Sequence, residues 1–174
     1  MLRLMLMRHA KAASPEGVAD MERPLHERGR ATAPLIGAHM GRARLNPERA
    51  LISPARRARE TWDLVAPAFS AASQAEFDPH LYNASAGELL AIIHAAPSHV
   101  RSLLVLAHNP GIEELARALV GDGDKNLRAS LKAKFPPAAL AVLDFPVEDW
   151  SVLKPRGGKL VRFVTPKSLG PAEE

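Results

Sequence analysis

The sequence predicts an α/β protein, a three-layer α/β/α sandwich around a mostly parallel sheet. Three observations carry that reading. Short apolar runs recur at Leu2–Met7, Ala50–Ile52, Leu103–Ala107 and Ala139–Phe145. Runs of that length suit strands buried on both faces. Segments with helical spacing lie between them, and fifteen prolines and eleven glycines cut the chain into short pieces.

The elements follow in order. Leu2 to Met7 reads as a buried strand. From Gly29 to about Met40 the apolar residues Ala33, Ile36 and Met40 fall near helical spacing. Pro34 is expected in the first turn of that helix, where a missing N–H costs little. After the strand Ala50–Ile52, Ser53 and Pro54 read as N-cap and first residue of a helix reaching about Ala66. Ser85 and Glu88 form a capping box ahead of Leu89, Leu90, Ile92 and Ile93, and that helix is expected to stop near Pro97. Leu103–Ala107 runs directly into His108-Asn109-Pro110-Gly111, followed by a helix to Val120 that Gly121 ends. Gly121 to Phe135 is polar and basic and reads as a loop or irregular insertion. Beyond the strand Ala139–Phe145, Trp150–Leu153 and Lys159–Val164 are expected to pair as a hairpin around Pro155-Arg156-Gly157-Gly158. The tail, about 168–174, is expected to fray.

Composition narrows the chemistry. A chain of 174 residues, 47% apolar and 24% charged, fits one domain spanning residues 1–174. It has no cysteine, which excludes a disulfide framework, a thiolate zinc site, an iron–sulfur cluster and a thiol nucleophile. The 23 Lys and Arg against 19 Asp and Glu leave a charge of +4. That mild excess admits nucleic acid, an acidic protein or a phosphorylated substrate. The apolar start is broken by Arg3 and Arg8 and is too short for a signal-peptide core or a membrane span, so no membrane partner and a cytoplasmic location are expected. No His, Asp or Glu cluster has metal-ligand spacing, so neither a metal nor another cofactor is expected. Oligomeric state has no signature in the sequence.

Three strand ends carry unusual residues. Arg8-His9 follows the first strand, Arg57 lies just beyond the second, and His108 follows the Leu103–Ala107 strand. Open α/β sheets bind ligands at the carboxyl ends of their strands, so all three should meet at one edge. Guanidinium forks match phosphate oxygens. The start of the helix after Ser53-Pro54 adds free N–H groups. The expected ligand is a dianion such as a phosphoryl group, which a neutral histidine nitrogen can attack.

Arg8-His9-Ala10, the run Ser53-Pro54-Ala55-Arg56-Arg57-Ala58-Arg59-Glu60-Thr61 and the later His108 resemble the histidine phosphatase superfamily, which includes the phosphoglycerate mutases. Arg23-Pro24-Leu25 followed by Gly29, the compact length, and the ending from Phe135-Pro136 through Leu143 resemble its small SixA-like branch of phosphohistidine phosphatases. The resemblance covers about residues 1–165. It implies a phosphoglycerate mutase-like fold and a metal-independent phosphatase. It implies His9 as nucleophile, Arg8 and Arg57 as phosphoryl clamps, and His108 as a donor to the transferring group. Arg23 would add a further phosphate contact; otherwise it is a surface arginine before a turn.

Two departures from the family pattern stand out. His26 occupies the place of a capping Thr or Ser. The stretch Asp78 to Ser85 lacks the general acid of larger members: Asp78 comes early, Glu88 is taken by the capping box, and Asp20 is a weaker candidate. An imidazole leaves phosphorus more readily than an alkoxide, so a phosphohistidine substrate fits that gap. The expected partner is a phosphorylated protein carrying phosphohistidine; the alternative is a small phosphorylated molecule. A basic anion- or nucleic-acid-binding module is the competing non-enzyme reading, but no aromatics interleave with Arg56 to Arg59, and no nucleic-acid partner is expected. Trp62 and Trp150 read as packing residues. His26, His39, His80, His94 and His99 read as ordinary surface or packing residues.

Overall fold

The structure is a computed structural model that describes residues 1–170. Seven strands form one sheet. They are β1 (Leu2–Arg8), β2 (Arg49–Ile52), β3 (Gln74–Phe77), β4 (Ser102–Ala107), β5 (Val120–Gly123), β6 (Leu140–Phe145) and β7 (Gly158–Val164), in the order β3-β2-β4-β1-β6-β7-β5. Only β6 runs against the others, pairing antiparallel with β1 and β7. The helices are α1 (Glu27–Arg42), α2 (Arg56–Val65), α3 (Ala86–His94), α4 (Gly111–Leu119) and α5 (Lys125–Ala133).

Period-two alternation builds the layers. On β1, Leu2, Leu4 and Leu6 point to one face and Met5 and Met7 to the other. On β4, Leu103 and Val105 share the first face while Leu104 and Leu106 share the second. The first face packs on Leu89 and Ile93 of α3, Ile112 and Leu115 of α4, and Leu131 of α5. The second packs on Ile36 and Met40 of α1 and Trp62 and Val65 of α2. Burying each such side chain contributes roughly 1.5–3 kcal/mol, so the central strands anchor everything attached to their ends. Trp150 is fully buried and donates from Nε1 to the Val100 carbonyl at 2.7 Å, and Trp62 packs edge-on against Phe69. Both tryptophans are packing residues, as the sequence suggests.

Several expectations need correction. Pro34 lies in the middle of α1 rather than its first turn, because the helix begins at Glu27. Ser53 does not cap α2; Ala55 holds that position and Arg56 begins the helix. Gly121 to Phe135 is not a loop. It contains β5 and α5, and Asp124 caps α5 by accepting from Asn126 and Leu127. Trp150–Val152 is a 3-10 turn and not a strand, so β7 pairs with β6 and β5 instead. Thr165 and Ser168 bond reciprocally around the turn Lys167–Leu169, which orders the start of the expected frayed tail. Residues 171–174 lie outside the described residues.

Two histidines are more than surface residues. His26 is the N-cap of α1, its Nδ1 accepting the Arg28 N–H at 3.0 Å. The imidazole thus does the work of the missing hydroxyl. His94 donates from Nε2 to the Leu153 carbonyl at 2.8 Å.

Candidate active site

The strand order makes the site. β2, β4 and β1 are adjacent and parallel, so their C-terminal ends lie side by side. Arg8 pairs with Ala107 in register, and the next residues, His9 and His108, emerge together with ring centroids 5.1 Å apart. At the end of β2, the Ser53 N–H continues the ladder to the Leu106 carbonyl. In the first turn of α2, Arg57 returns toward the same point. His9, Arg57 and His108 are 9%, 5% and 5% exposed.

The orientation of His9 follows from one contact. Its Nδ1 lies 2.7 Å from the Ala10 carbonyl oxygen. A carbonyl only accepts, so Nδ1 carries the proton and Nε2 holds the lone pair. Thr61 secures the backbone beside it: Oγ1 accepts the Ala10 N–H at 3.0 Å and donates to the Arg57 carbonyl at 2.7 Å. The threonine of the Ser-Pro-x-x-Arg-Ala-x-x-Thr element therefore ties the turn after His9 to the helix that carries Arg57. Ser53 ties α2 to the other imidazole. Its Oγ is 2.7 Å from Nε2 of His108 and accepts the Ala55 N–H at 3.3 Å.

Electrostatics keep both imidazoles neutral. Burial pushes His9 down to about 3, and the neighbouring His108, Arg57 and Arg8 act the same way against the opposing Ala10 contact. Burial likewise pushes His108 down to about 4, helped by Arg57. Arg8 donates to the Phe135 carbonyl at 3.1 Å, while its buried Nε has no partner among the described residues. A cavity of about 350 Å³ opens over these groups, lined also by Lys11, Arg23, Asn83 and Asn109. Among the described residues, no carboxylate lines it.

Asp20 stands at the rim. Arg57 donates to its carbonyl at 2.7 Å and to its carboxylate at 3.1 Å, and Arg23 donates to the other carboxylate oxygen at 3.1 Å. Tyr82, the chain's single tyrosine, also donates to this carboxylate and sets its ring edge-on to His108, 5.6 Å away. The Tyr82 hydrogen bond and the two arginines hold the Asp20 carboxyl well below the usual carboxylate range. Asp20 is thus ionised at neutral pH and has no proton to donate in this arrangement. Among the other acids, Asp78 accepts from the His80 N–H, and Glu88 completes the capping box with Ser85.

All five residues singled out in the sequence, Arg8, His9, Arg23, Arg57 and His108, line one cavity. Sequence reasoning missed Ser53 and Thr61 as site supports, although both lie inside the quoted motif. It also missed Tyr82, Asn83 and Asn109, which have no local signal beyond Asn109 following His108. Among the described residues, no group of three or more His, Cys, Asp or Glu could hold a metal ion, and no helix is long and apolar enough to cross a membrane.

A cationic cavity with two neutral imidazoles at the carboxyl ends of parallel strands defines a phosphoryl-handling α/β protein. Comparison with known proteins makes the class specific. Residues 4–96 match the model of the histidine phosphatase superfamily, branch 1. The uncharacterized protein Rv1276c of Mycobacterium tuberculosis is 35% identical over 164 residues, covering 92% of this chain and all of that one. A SixA structure from Agrobacterium tumefaciens is 33% identical with TM-score 0.79, covering 94% of this chain and 97% of that one. The protein histidine phosphatase SixA complexed with tungstate is 26% identical with TM-score 0.76, covering 97% of this chain and 99% of that one. The chain belongs to the histidine phosphatase superfamily, branch 1. Within it the chain is SixA-like, with the phosphoglycerate mutase-like fold, and it is a phosphatase.

Proposed function

We propose that the protein hydrolyses phosphohistidine on protein substrates through a phosphohistidine intermediate at Nε2 of His9. The Nδ1–Ala10 hydrogen bond carries this reading, because it presents a fixed lone pair to a cationic cavity. In the first step Nε2 of His9 forms a bond to phosphorus while the substrate P–N bond breaks. The departing imidazole nitrogen keeps the bonding pair and takes a proton from water. In the second step water attacks the same phosphorus, the His9 P–N bond breaks, and phosphate leaves with the neutral imidazole restored.

Arg8 and Arg57 hold the equatorial oxygens, and Arg23 adds a third cation from the rim. Phosphoryl transfer depends mainly on such positioning and charge stabilisation. In this reading the Ser53 hydroxyl accepts from Ala55 and donates its one proton to Nε2 of His108. The ring proton of His108 then sits on Nδ1, which has no partner among the described residues, and is offered to a substrate oxygen. Asp20 accepts from Arg57 and Arg23, so the phosphoryl group competes with its carboxylate for these guanidiniums.

The absence of a carboxyl group in the cavity favours a substrate with a good leaving group. The test is a substrate panel assayed with chelator present and no added metal: a phosphohistidine protein, an aryl phosphate, glycerol phosphate and a nucleotide. Phosphohistidine and aryl phosphate should turn over, and the trapped enzyme should carry acid-labile phosphate. Faster hydrolysis of glycerol phosphate than of phosphohistidine would overturn the substrate assignment.

A further inference from the structure

A second hollow, of about 430 Å³, opens beside the catalytic cavity. The two share Lys11 and Pro137 as a common wall, so they adjoin each other. The floor of the second hollow is apolar, built from Ala133 at the end of α5, Pro136, Pro137 and Phe163 of β7. Its rim carries four cations, Lys11, Arg28, Lys134 and Lys167. Among the described residues, no Asp or Glu lines it.

These cations differ from Arg23 and Arg57 of the neighbouring cavity and from Arg56 and Arg59 beside it. Arg23 and Arg57 are both paired with Asp20, Arg56 with Glu60 and Arg59 with Glu22. Among the described residues, none of Lys11, Arg28, Lys134 and Lys167 forms an ion pair. They also sit on four separate elements: the loop after β1, the first turn of α1, the end of α5 and the turn after β7. A single phosphate would call for convergent donors. Cations spread around an apolar floor suit several separated carboxylates flanking an apolar side chain.

Resting on the phosphatase reading above, we propose that this trough binds the polypeptide next to the phosphorylated residue, and that it selects an acidic segment bearing an apolar side chain. The catalytic cavity then recognises the phosphoryl group alone, while the trough recognises the protein that carries it. Rim charges act mainly on encounter and affinity, so the effect belongs in KM.

Two synthetic phosphohistidine peptides test this, one flanked on both sides by Leu-Glu-Glu and the other by Leu-Lys-Lys, with p-nitrophenyl phosphate as a probe too small to reach the trough. The native protein should prefer the acidic peptide at least tenfold in kcat/KM, through KM. The double variant Arg28→Glu/Lys134→Glu should bring that preference within twofold and leave p-nitrophenyl phosphate hydrolysis within twofold of native. The milder pair Arg28→Gln/Lys134→Gln should show an intermediate loss and covers the case in which charge reversal prevents folding. Equal use of both peptides by the native protein, or a preference that survives both variants, would overturn the assignment. So would competition by a mixed-sequence oligonucleotide as tight as that of the acidic peptide. A chain truncated after Gly170 that gains more than tenfold in acidic-peptide affinity would assign the trough to the chain's own Glu173-Glu174 instead. If no phosphorylated probe turns over, the phosphatase reading fails, yet the trough remains testable. Fluorescence anisotropy with unphosphorylated versions of the two peptides should still show a tenfold difference in Kd.

Discussion

The floor and the rim of the catalytic cavity hold similar residues in opposite physical states. On the floor, His9, Arg57 and His108 are buried and tied to strand ends by Ala10, Thr61 and Ser53. At the rim, Asp20, Arg23 and Tyr82 meet through exposed polar contacts. The floor is desolvated and ordered during folding, so little reorganisation remains for the reaction. The rim can exchange partners at small cost, since exposed ion pairs are worth roughly 0–1 kcal/mol. The difference teaches that order and access are separated: packing fixes the groups on the floor, and solvent-screened contacts ring the opening above them.

The largest expected effect strikes the floor. His9→Ala should lower kcat by more than about 10⁴-fold, as removal of a nucleophile does elsewhere, and abolish the acid-labile phosphoenzyme. Rapid-quench labelling with a 32P substrate measures both, and a variant that still accumulates phosphoenzyme would disprove the assignment. Arg57→Ala should cost about 10²–10³-fold in kcat, on the scale of losing one fixed donor to a developing charge. Arg57→Lys should recover little of it, because an ammonium lacks the bidentate fork. Near-complete rescue by lysine would move Arg57 from geometry to bulk charge.

Acid should expose the floor's desolvation. His9 and His108 are held at about 3 and about 4, against 6.5 for an unperturbed imidazole. Between those values and 6.5 the unfolded chain binds protons that the folded chain refuses. Stability is therefore complete above about pH 6.5 and declines as pH falls, His108 ceasing to contribute near 4 and His9 near 3. At pH 5 the loss should be on the order of 1–2 kcal/mol per imidazole. Urea unfolding at pH 7 and pH 5 measures it, and His9→Asn should lose less on acidification than the native protein. An identical acid loss in the variant would show that His9 is not desolvated.

The smallest effect belongs to the rim. Asp20→Asn removes the charge that pairs with Arg57 and Arg23 and should tighten inorganic phosphate binding by about two- to fivefold, on the exposed ion-pair scale. Isothermal titration tests this. Weaker phosphate binding would instead make Asp20 a positioning residue for Arg57.

Legibility followed burial. β1, β4 and β6 are buried on both faces and read directly from their apolar runs. β3 was missed because Gln74–Phe77 is an exposed edge strand with no apolar alternation. β5 was missed because Val-Gly-Asp-Gly has the composition of a turn, and it is a strand only because β7 lies beside it. The polar composition of α5 hid a helix that buries Leu131 alone. Among site residues, the motif exposed those that touch the cavity but not Ser53 and Thr61, whose roles depend on contacts 55 and 51 residues away in sequence.

One glycine shows the same boundary. A side chain at Gly29 would place its Cβ 2.2 Å from the Lys11 carbonyl oxygen, so only glycine lets α1 lie against the loop after His9. The motif Arg23-Pro24-Leu25 with Gly29 marked that position, but only the folded chain gives the reason.

The sequence by itself determined the residue types that meet at the candidate site. It has no cysteine, which excludes a thiol nucleophile, and Arg8-His9, Arg57 and His108 each lie at or just beyond the end of a recognisable strand. Apolar runs and strand-end chemistry are local, so they survive in a linear reading. Tertiary structure alone decided that β4 inserts between β1 and β2, which brings His9 and His108 to neighbouring strand ends 99 residues apart in sequence. It also decided that burial would keep both imidazoles neutral, and that Lys11, Arg28, Lys134 and Lys167 would surround one trough. Desolvation and charge convergence are properties of packed neighbours, and those neighbours are set by strand order rather than by position along the chain.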